Sequence, residues 1–248
     1  TDRRGPSRNP GSELGSGGAV GMKDCGARVT YWRGRGRCEP LRCILAVAGA
    51  PFENVYLGGK EDMQALRAAG KLTYDQVPLV EVDGLNLVQG TPTAIYLAQK
   101  YGMWPADCKS QYIAGHIFAA AQDARGPLLI FPFHQDKERC MQELSGAKGF
   151  LNRFAPRWEG ILKAAEGPYL VGPSATLADV AVFEVFDFFR HVFGEETFND
   201  TFKQFPLLLA HHERVLGLGR MREWRDTGRN KEFLPWGDYA KSVRATLD

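Results

Sequence analysis

From residue 28 to 104 the apolar positions recur with two different periods. Arg28–Trp32 is a short β-rich run. Cys38–Ala48 sets Leu41, Ile44, Leu45 and Ala48 at helical spacing, with Pro40 in the first turn and Gly49 behind it. Phe52–Leu57 alternates like a second strand, and Glu61–Ala69 reads as a short amphipathic helix closed by Gly70. Between Pro78 and Val88, Asp83-Gly84 separates two apolar segments, the pattern of a tight hairpin. Pro92–Tyr101 returns to helical spacing. The predicted order is βαβαββα, an α/β unit built on one mixed sheet.

After Gly102–Lys109 the pattern changes. From Ser110 onward no segment reads convincingly as a strand. Amphipathic stretches dominate instead: Gln111–Phe133, Lys137–Ala165, Leu177–Phe193, Pro206–Leu216 and Trp236–Leu247. Pro156 predicts a bend within the second of them. Thr176-Leu-Ala-Asp179 has the shape of a capping box, with Asp where Glu or Gln is usual; Thr176 would accept the amide of residue 179 and Asp179 would reach back. It reads as an ordinary helix start. Residues 1–21 are rich in Gly, Ser and Pro and nearly devoid of large apolar side chains. Such a segment cannot offset its ordering entropy, so a disordered or appended tail is expected, with Met22 as the natural start. The expected organisation is a tail (1–21), an α/β domain (22–104) and, after a short polar linker, an all-α domain (110–248).

Composition narrows the chemistry. With 44% hydrophobic residues among 248, the chain can bury ordinary cores. A net charge of +2 gives no field that would favour nucleic acid. No apolar run reaches the roughly 20 residues that span a bilayer, and no apolar leader points to secretion. Five cysteines (Cys25, Cys38, Cys43, Cys108 and Cys140) make an odd count without metal-ligand spacing. They read as free thiols, so a soluble, metal-free, cytoplasmic protein is expected.

Four motifs in order carry a resemblance. They are Val29-Thr-Tyr-Trp-Arg-Gly-Arg-Gly-Arg-Cys-Glu-Pro-Leu-Arg42, Gln76-Val-Pro-Leu-Val-Glu-Val-Asp-Gly84, Asn152-Arg-Phe154, and Tyr169-Leu-Val-Gly172 followed by Thr176–Asp179. Together they resemble cytosolic glutathione transferases, and the alpha class in particular, from about Val29 to Trp224. The resemblance implies a thioredoxin-like first domain and an all-helical second one. It implies an enzyme that couples the thiolate of reduced glutathione to apolar electrophiles, with reduction of organic hydroperoxides as a side activity.

Such chemistry needs a thiolate, and a free thiol near pKa 8.5 is only a few per cent ionised at neutral pH. Lowering it by about 2 units takes roughly 2.7 kcal/mol of differential stabilisation of the anion. By resemblance, Tyr31 is the hydroxyl donor and Arg37 the cation beside the first helix. Read alone, Tyr31 is more often a half-buried strand aromatic, a balance that the Arg-Gly-Arg context reverses, and Arg33 and Arg35 read as solvated or structural. Pro78 matches a cis-proline that exposes the backbone of Val77 to the cysteinyl unit of glutathione; read alone, it opens a strand. Gln89 matches the residue at the γ-glutamyl end, and Arg67, with Gln76 nearby, matches the partner of the glycine carboxylate. Asp123 and Arg153 match a pair that reaches across a dimer interface, and otherwise read as solvated helix charges. The chain departs from the family at Gly90, where a hydroxyl residue is usual. Thr91-Pro92 offers an alternative cap and first-turn pair. Weaker glutathione binding is expected.

The electrophile pocket is expected beside Tyr31, from Trp32, Gly34, the stretch Leu129–Phe133 with Phe131 at its centre, and a C-terminal lid carrying Trp236, Tyr239 and Val243. Tyr74 matches an aromatic key that inserts into the second subunit of a homodimer. Two alternatives stay open: a ligandin-like or crystallin-like binding protein of the same fold, favoured by Gly90, and a sigma-like glutathione-dependent lipid isomerase. A thiol-disulfide oxidoreductase is disfavoured because no Cys-x-x-Cys is present.

Overall fold

The computed structural model describes residues 26–247. The expected tail, Met22 and Cys25 lie outside the described residues. A four-stranded sheet in the order β2-β1-β3-β4 organises the first part. Strand β1 (Ala27–Tyr31) runs parallel to β2 (Phe52–Tyr56) and antiparallel to β3 (Leu79–Val82), which pairs with β4 (Leu85–Val88). At the β3–β4 turn Asp83 and Gly84 both take positive φ, 53° and 74°, as a mirror-image hairpin turn requires. The Asp83 carboxylate then accepts from Tyr96 and Lys100 on the helix that follows.

Three helices complete this part: α1 (Glu39–Val47), entered through a short 3-10 turn at Gly36–Cys38, α2 (Lys60–Ala68) and α3 (Gly90–Lys100). The element order is the βαβαββα expected from the hydrophobic pattern.

The remaining elements are helical: α4 (Cys108–Ala124), α5 (Gly126–His134), α6 (Lys137–Ser145), α7 (Ala155–Ala164), α8 (Leu177–Phe193), α9 (Glu195–Phe202), α10 (Pro206–Leu216), the short α11 (Met221–Glu223) and α12 (Asn230–Glu232), and α13 (Trp236–Leu247). The expected continuous helix Gln111–Phe133 is two, because Gly126-Pro127 follows the C-cap Arg125 and proline withholds an amide from the ladder. The expected helix Lys137–Ala165 is interrupted near Gly146 and resumes through a π-helical turn, Phe150–Phe154. Pro156 sits in the first turn of α7, immediately after that irregularity. Helix α9 was not legible: it is polar except for Phe198 and Phe202, which join the aromatic cluster of Phe150, Phe186 and Phe189.

Asp179 closes the start of α8 as the capping box predicts. It accepts from the amide of Thr176 at 2.7 Å and, beyond the prediction, from the amide of Leu170 and Nε2 of His211, both at 2.8 Å. The amide of residue 179 also bonds the carbonyl of Thr176 at 3.0 Å.

Helix α8 is the spine. It packs against α1, α4 and α10, and is buried over most of its length, its acids included. Glu184 and Asp187 lie among phenylalanines because buried arginines meet them. Arg35 donates to both at 3.1 and 2.9 Å, Arg125 donates to Glu184 at 3.0 Å, and Arg229 bridges Asp187 and Glu39 at 2.7 and 3.2 Å. Burial alone would raise the Asp187 carboxyl, but Arg229 and Arg35 outweigh it and hold it well below the usual carboxylate range. This network joins the sheet to the helices.

Candidate glutathione and electrophile site

Strand β1 ends at Tyr31, and the chain turns through 33–36 before α1 begins. Two buried arginines hold that turn from behind: Arg42 donates to the carbonyl of Gly34 and Arg125 to the carbonyl of Gly36, each at 2.8 Å. Gly36 adopts φ 44°, and a β-carbon there would lie 2.5 Å from the Tyr31 hydroxyl and 2.6 Å from that of Tyr239. Only glycine fits. The turn therefore presents the amide of Arg37 to the Tyr31 oxygen at 3.0 Å. Tyr31 is only 4% exposed, and burial pushes its phenol above the ordinary value, so it is a neutral donor at physiological pH.

Two clefts adjoin at this point. One, of about 440 Å³, is lined by Arg37, Gln76, Val77, Pro78 and the start of α3 from Gln89 to Pro92. The other, of about 410 Å³, holds Tyr31 and Trp32 against Met63, Leu129, Ile130, Phe133, Tyr239 and Val243. Arg37, Gln76 and Val77 line both. The Val77-Pro78 bond is cis, as the motif predicts.

The start of α3 corrects one expectation. The helix begins at Gly90, with Gln89 as its N-cap at φ 67°, so Thr91-Pro92 lies inside the first turn and is not the cap pair. The left-handed backbone at Gln89 is a strained conformation for a side-chain-bearing residue, held here at the rim of a cleft. The amides of Gly90 and Thr91 belong to the helix N-terminus and have no intrahelical acceptor, which suits a carboxylate. Gln89 also donates through its side chain to Gln76 at 3.1 Å.

Other predicted residues are placed differently. Arg67 is exposed and pairs with Asp75, which lines the Tyr31 cleft, at 3.4 Å. Asp123 and Arg153 are exposed and line neither cleft; on α4 it is Gln122 that faces the polar one. Tyr74 is 63% exposed. Phe131 and Trp236 lie outside the lining of the Tyr31 cleft and pack on each other at 5.7 Å, because about 100° per residue turns Phe131 to the far side of α5 from Leu129, Ile130 and Phe133. Gly34 also lies outside the lining: a side chain there would collide with the ring of Tyr239. Arg35 belongs to the buried network, whereas exposed Arg33 donates to the carbonyl of Glu232 at 3.0 Å.

Sequence reasoning missed the arginine–carboxylate network and the approach of the Tyr31 and Tyr239 hydroxyls to the same face of Gly36. For the network a signal existed. Acids inside Val182-Phe-Glu-Val-Phe-Asp-Phe-Phe189 are rarely buried without partners.

A family model described as "Glutathione S-transferase, C-terminal domain" matches residues 122–228. Glutathione S-transferase A3 of Mus musculus is 34% identical over 87% of this chain and 94% of its own length. Glutathione S-transferase 3 of Gallus gallus is 31% identical over 88% and 93%. The chain belongs to the glutathione S-transferase family. Its curated relatives include several alpha-class members, and membership makes it a transferase that uses glutathione as co-substrate. A monomeric glutathione S-transferase from the hookworm Necator americanus superposes with a TM-score of 0.66 at 25% identity, covering 82% of this chain and 97% of that one. Among the described residues no helix is long and apolar enough to cross a membrane, and no group of His, Cys, Asp and Glu could hold a metal.

Proposed function

We propose that this glutathione transferase activates its co-substrate at Tyr31 and couples the sulfur to apolar electrophiles held against α5 and α13. The observation that carries the reading is the position of the Tyr31 hydroxyl beside two adjoining clefts, its oxygen already accepting the Arg37 amide. A neutral phenol in that place donates to sulfur and stabilises the thiolate after the thiol proton has left to solvent. The Arg37 guanidinium, exposed at both clefts, adds a permanent positive charge. The thiolate then attacks the electrophilic atom, forming the C–S bond as the leaving group or displaced electron pair departs.

In the polar cleft the backbone of Val77, before cis Pro78, pairs with the cysteinyl unit. Gln76, Gln89 and the amides of Gly90 and Thr91 take the γ-glutamyl end, and Arg67 takes the glycine carboxylate. The protein works as a homodimer keyed by Tyr74, with Asp123 and Arg153 directed at the neighbouring subunit's site. The same thiolate would attack an organic hydroperoxide, breaking its O–O bond; a second glutathione then completes the reduction. Among the described residues Cys38, Cys43, Cys108 and Cys140 are free thiols, which accords with a reducing, cytoplasmic setting.

The test is a pH titration of thiolate absorbance for glutathione bound to the wild type and to Tyr31→Phe. The expected result is a depressed thiol pKa in the wild type, largely restored in the variant. If both titrate like free glutathione, the catalytic assignment fails and the non-catalytic binding protein takes its place.

A further inference from the structure

We propose that Asp75 sets the class of electrophile this transferase takes: its carboxylate favours apolar electrophiles that carry a cationic group and disfavours those that carry a carboxylate. The proposal rests on the site assigned above, with sulfur activated at Tyr31.

The wall of the Tyr31 cleft is apolar over most of its extent, from Trp32 and Met63 to Leu129, Ile130, Phe133 and Val243. Among the described residues two charged side chains line it, Arg37 and Asp75. Arg37 also lines the polar cleft, and during turnover the thiolate opposes its positive charge. Asp75 lines the electrophile cleft and not the polar one. Bound glutathione, itself a net anion, adds to the negative field of this carboxylate.

The loop before β3 carries the acid at a defined place on the rim. Its backbone is left-handed at Asp75, φ 54°, and the Asp75 amide donates to the carbonyl of Leu72 at 3.2 Å. Asp and Asn are among the few side-chain-bearing residues that accept this conformation readily. Among the described residues Arg67 pairs with the carboxylate, its Nε 3.4 Å away, and both side chains are largely exposed. An exposed pair of this kind is weak. Met63 and Arg67 lie four residues apart on one face of α2, so that Met63 reaches the cleft while Arg67 stands one turn beyond its lining. Drawn to the glycine carboxylate of glutathione, as proposed above, Arg67 leaves the Asp75 charge to the cleft. On the α5–α13 side Arg244 lies over the Phe133 ring, 5.7 Å from its centroid, and is not part of the lining. A cationic group at the rim is therefore attracted to Asp75 while the apolar body fills the cleft, and a carboxylate in the same place meets a like charge.

The test compares three benzyl chlorides that differ only in the para substituent: trimethylammonium, tert-butyl or carboxylate. The glutathione thiolate displaces chloride from each. Asp75→Asn removes the charge, and asparagine tolerates the left-handed backbone. Each substrate's intrinsic reactivity is the same for both enzymes and cancels in the comparison. The expected result is a fall of about three- to tenfold in the ratio of kcat/KM for the cation to that for the carboxylate, with the tert-butyl compound changed by less than about twofold. The fall shrinks at about 0.5 M salt, where charges at an exposed rim are screened. An unchanged ratio overturns the proposal, as does a common change in all three substrates, the mark of a merely structural role. Tyr31→Phe separates the two readings. If it depresses turnover of all three compounds while Asp75→Asn leaves their ratio unmoved, Asp75 alone loses its role; if it leaves all three unaffected, the reading of Tyr31 itself fails.

Discussion

Arg35, in the turn after β1, donates to Asp187 of α8 at 2.9 Å, and both side chains are buried. The contact joins the turn that presents the Arg37 amide to the helix that forms the spine of the second part. Four guanidinium groups (Arg35, Arg42, Arg125 and Arg229) meet three carboxylates (Glu39, Glu184 and Asp187) in this network. Its positive excess lies behind Tyr31, on the side away from the clefts.

Removing one carboxylate from the network leaves buried charge uncompensated. Asp187→Asn is expected to destabilise the fold by about 3–5 kcal/mol, measured by urea unfolding at neutral pH. Its pH dependence has a definite sign. The folded carboxyl is held below the unfolded value of about 3.9, so its contribution is complete above that pH and disappears as the pH falls. The variant should lack this part of the acid limb. Equal acid sensitivity in the two proteins would show that Asp187 is not the group responsible.

Gly90 occupies open space: a β-carbon there meets no atom within 4 Å. Gly90→Thr therefore meets no clash at its β-carbon and adds a hydroxyl at the mouth of the polar cleft. Glutathione is expected to bind about three- to tenfold more tightly, one hydrogen bond's worth, by titration calorimetry. An unchanged Kd would mean that Thr91 or the backbone amides already serve the carboxylate.

Tyr74 stands free in the single chain at 63% exposure. Under the proposed homodimer, Tyr74→Ala shifts the sedimentation profile toward monomer at micromolar concentration while secondary structure is retained. A wild-type protein that sediments as a monomer removes the role given to Tyr74, Asp123 and Arg153.

Local chemistry accounts for what the sequence by itself determined. Asp83-Gly84 specified its turn because few residue pairs accept two consecutive positive φ angles. Leu177–Phe193, Pro206–Leu216 and Trp236–Leu247 were bounded by Thr, Pro and Gly signals that act within a single helical turn. The motifs around Tyr31 and Gln76-Val-Pro placed the polar cleft, since each is contiguous in the chain. Tertiary structure alone decided the rest. Whether Phe131 or Phe133 faces the cleft depends on how α5 is rotated against α13, and a helix with apolar residues nearly all round carries no preferred face. Arg35 read as solvated or structural without a choice between the two, because its partners lie 149 and 152 residues away. The meeting of Tyr31 with Tyr239 at one cleft has the same origin: a contact between residues distant in sequence exists only once packing has brought them together, and no local pattern encodes it.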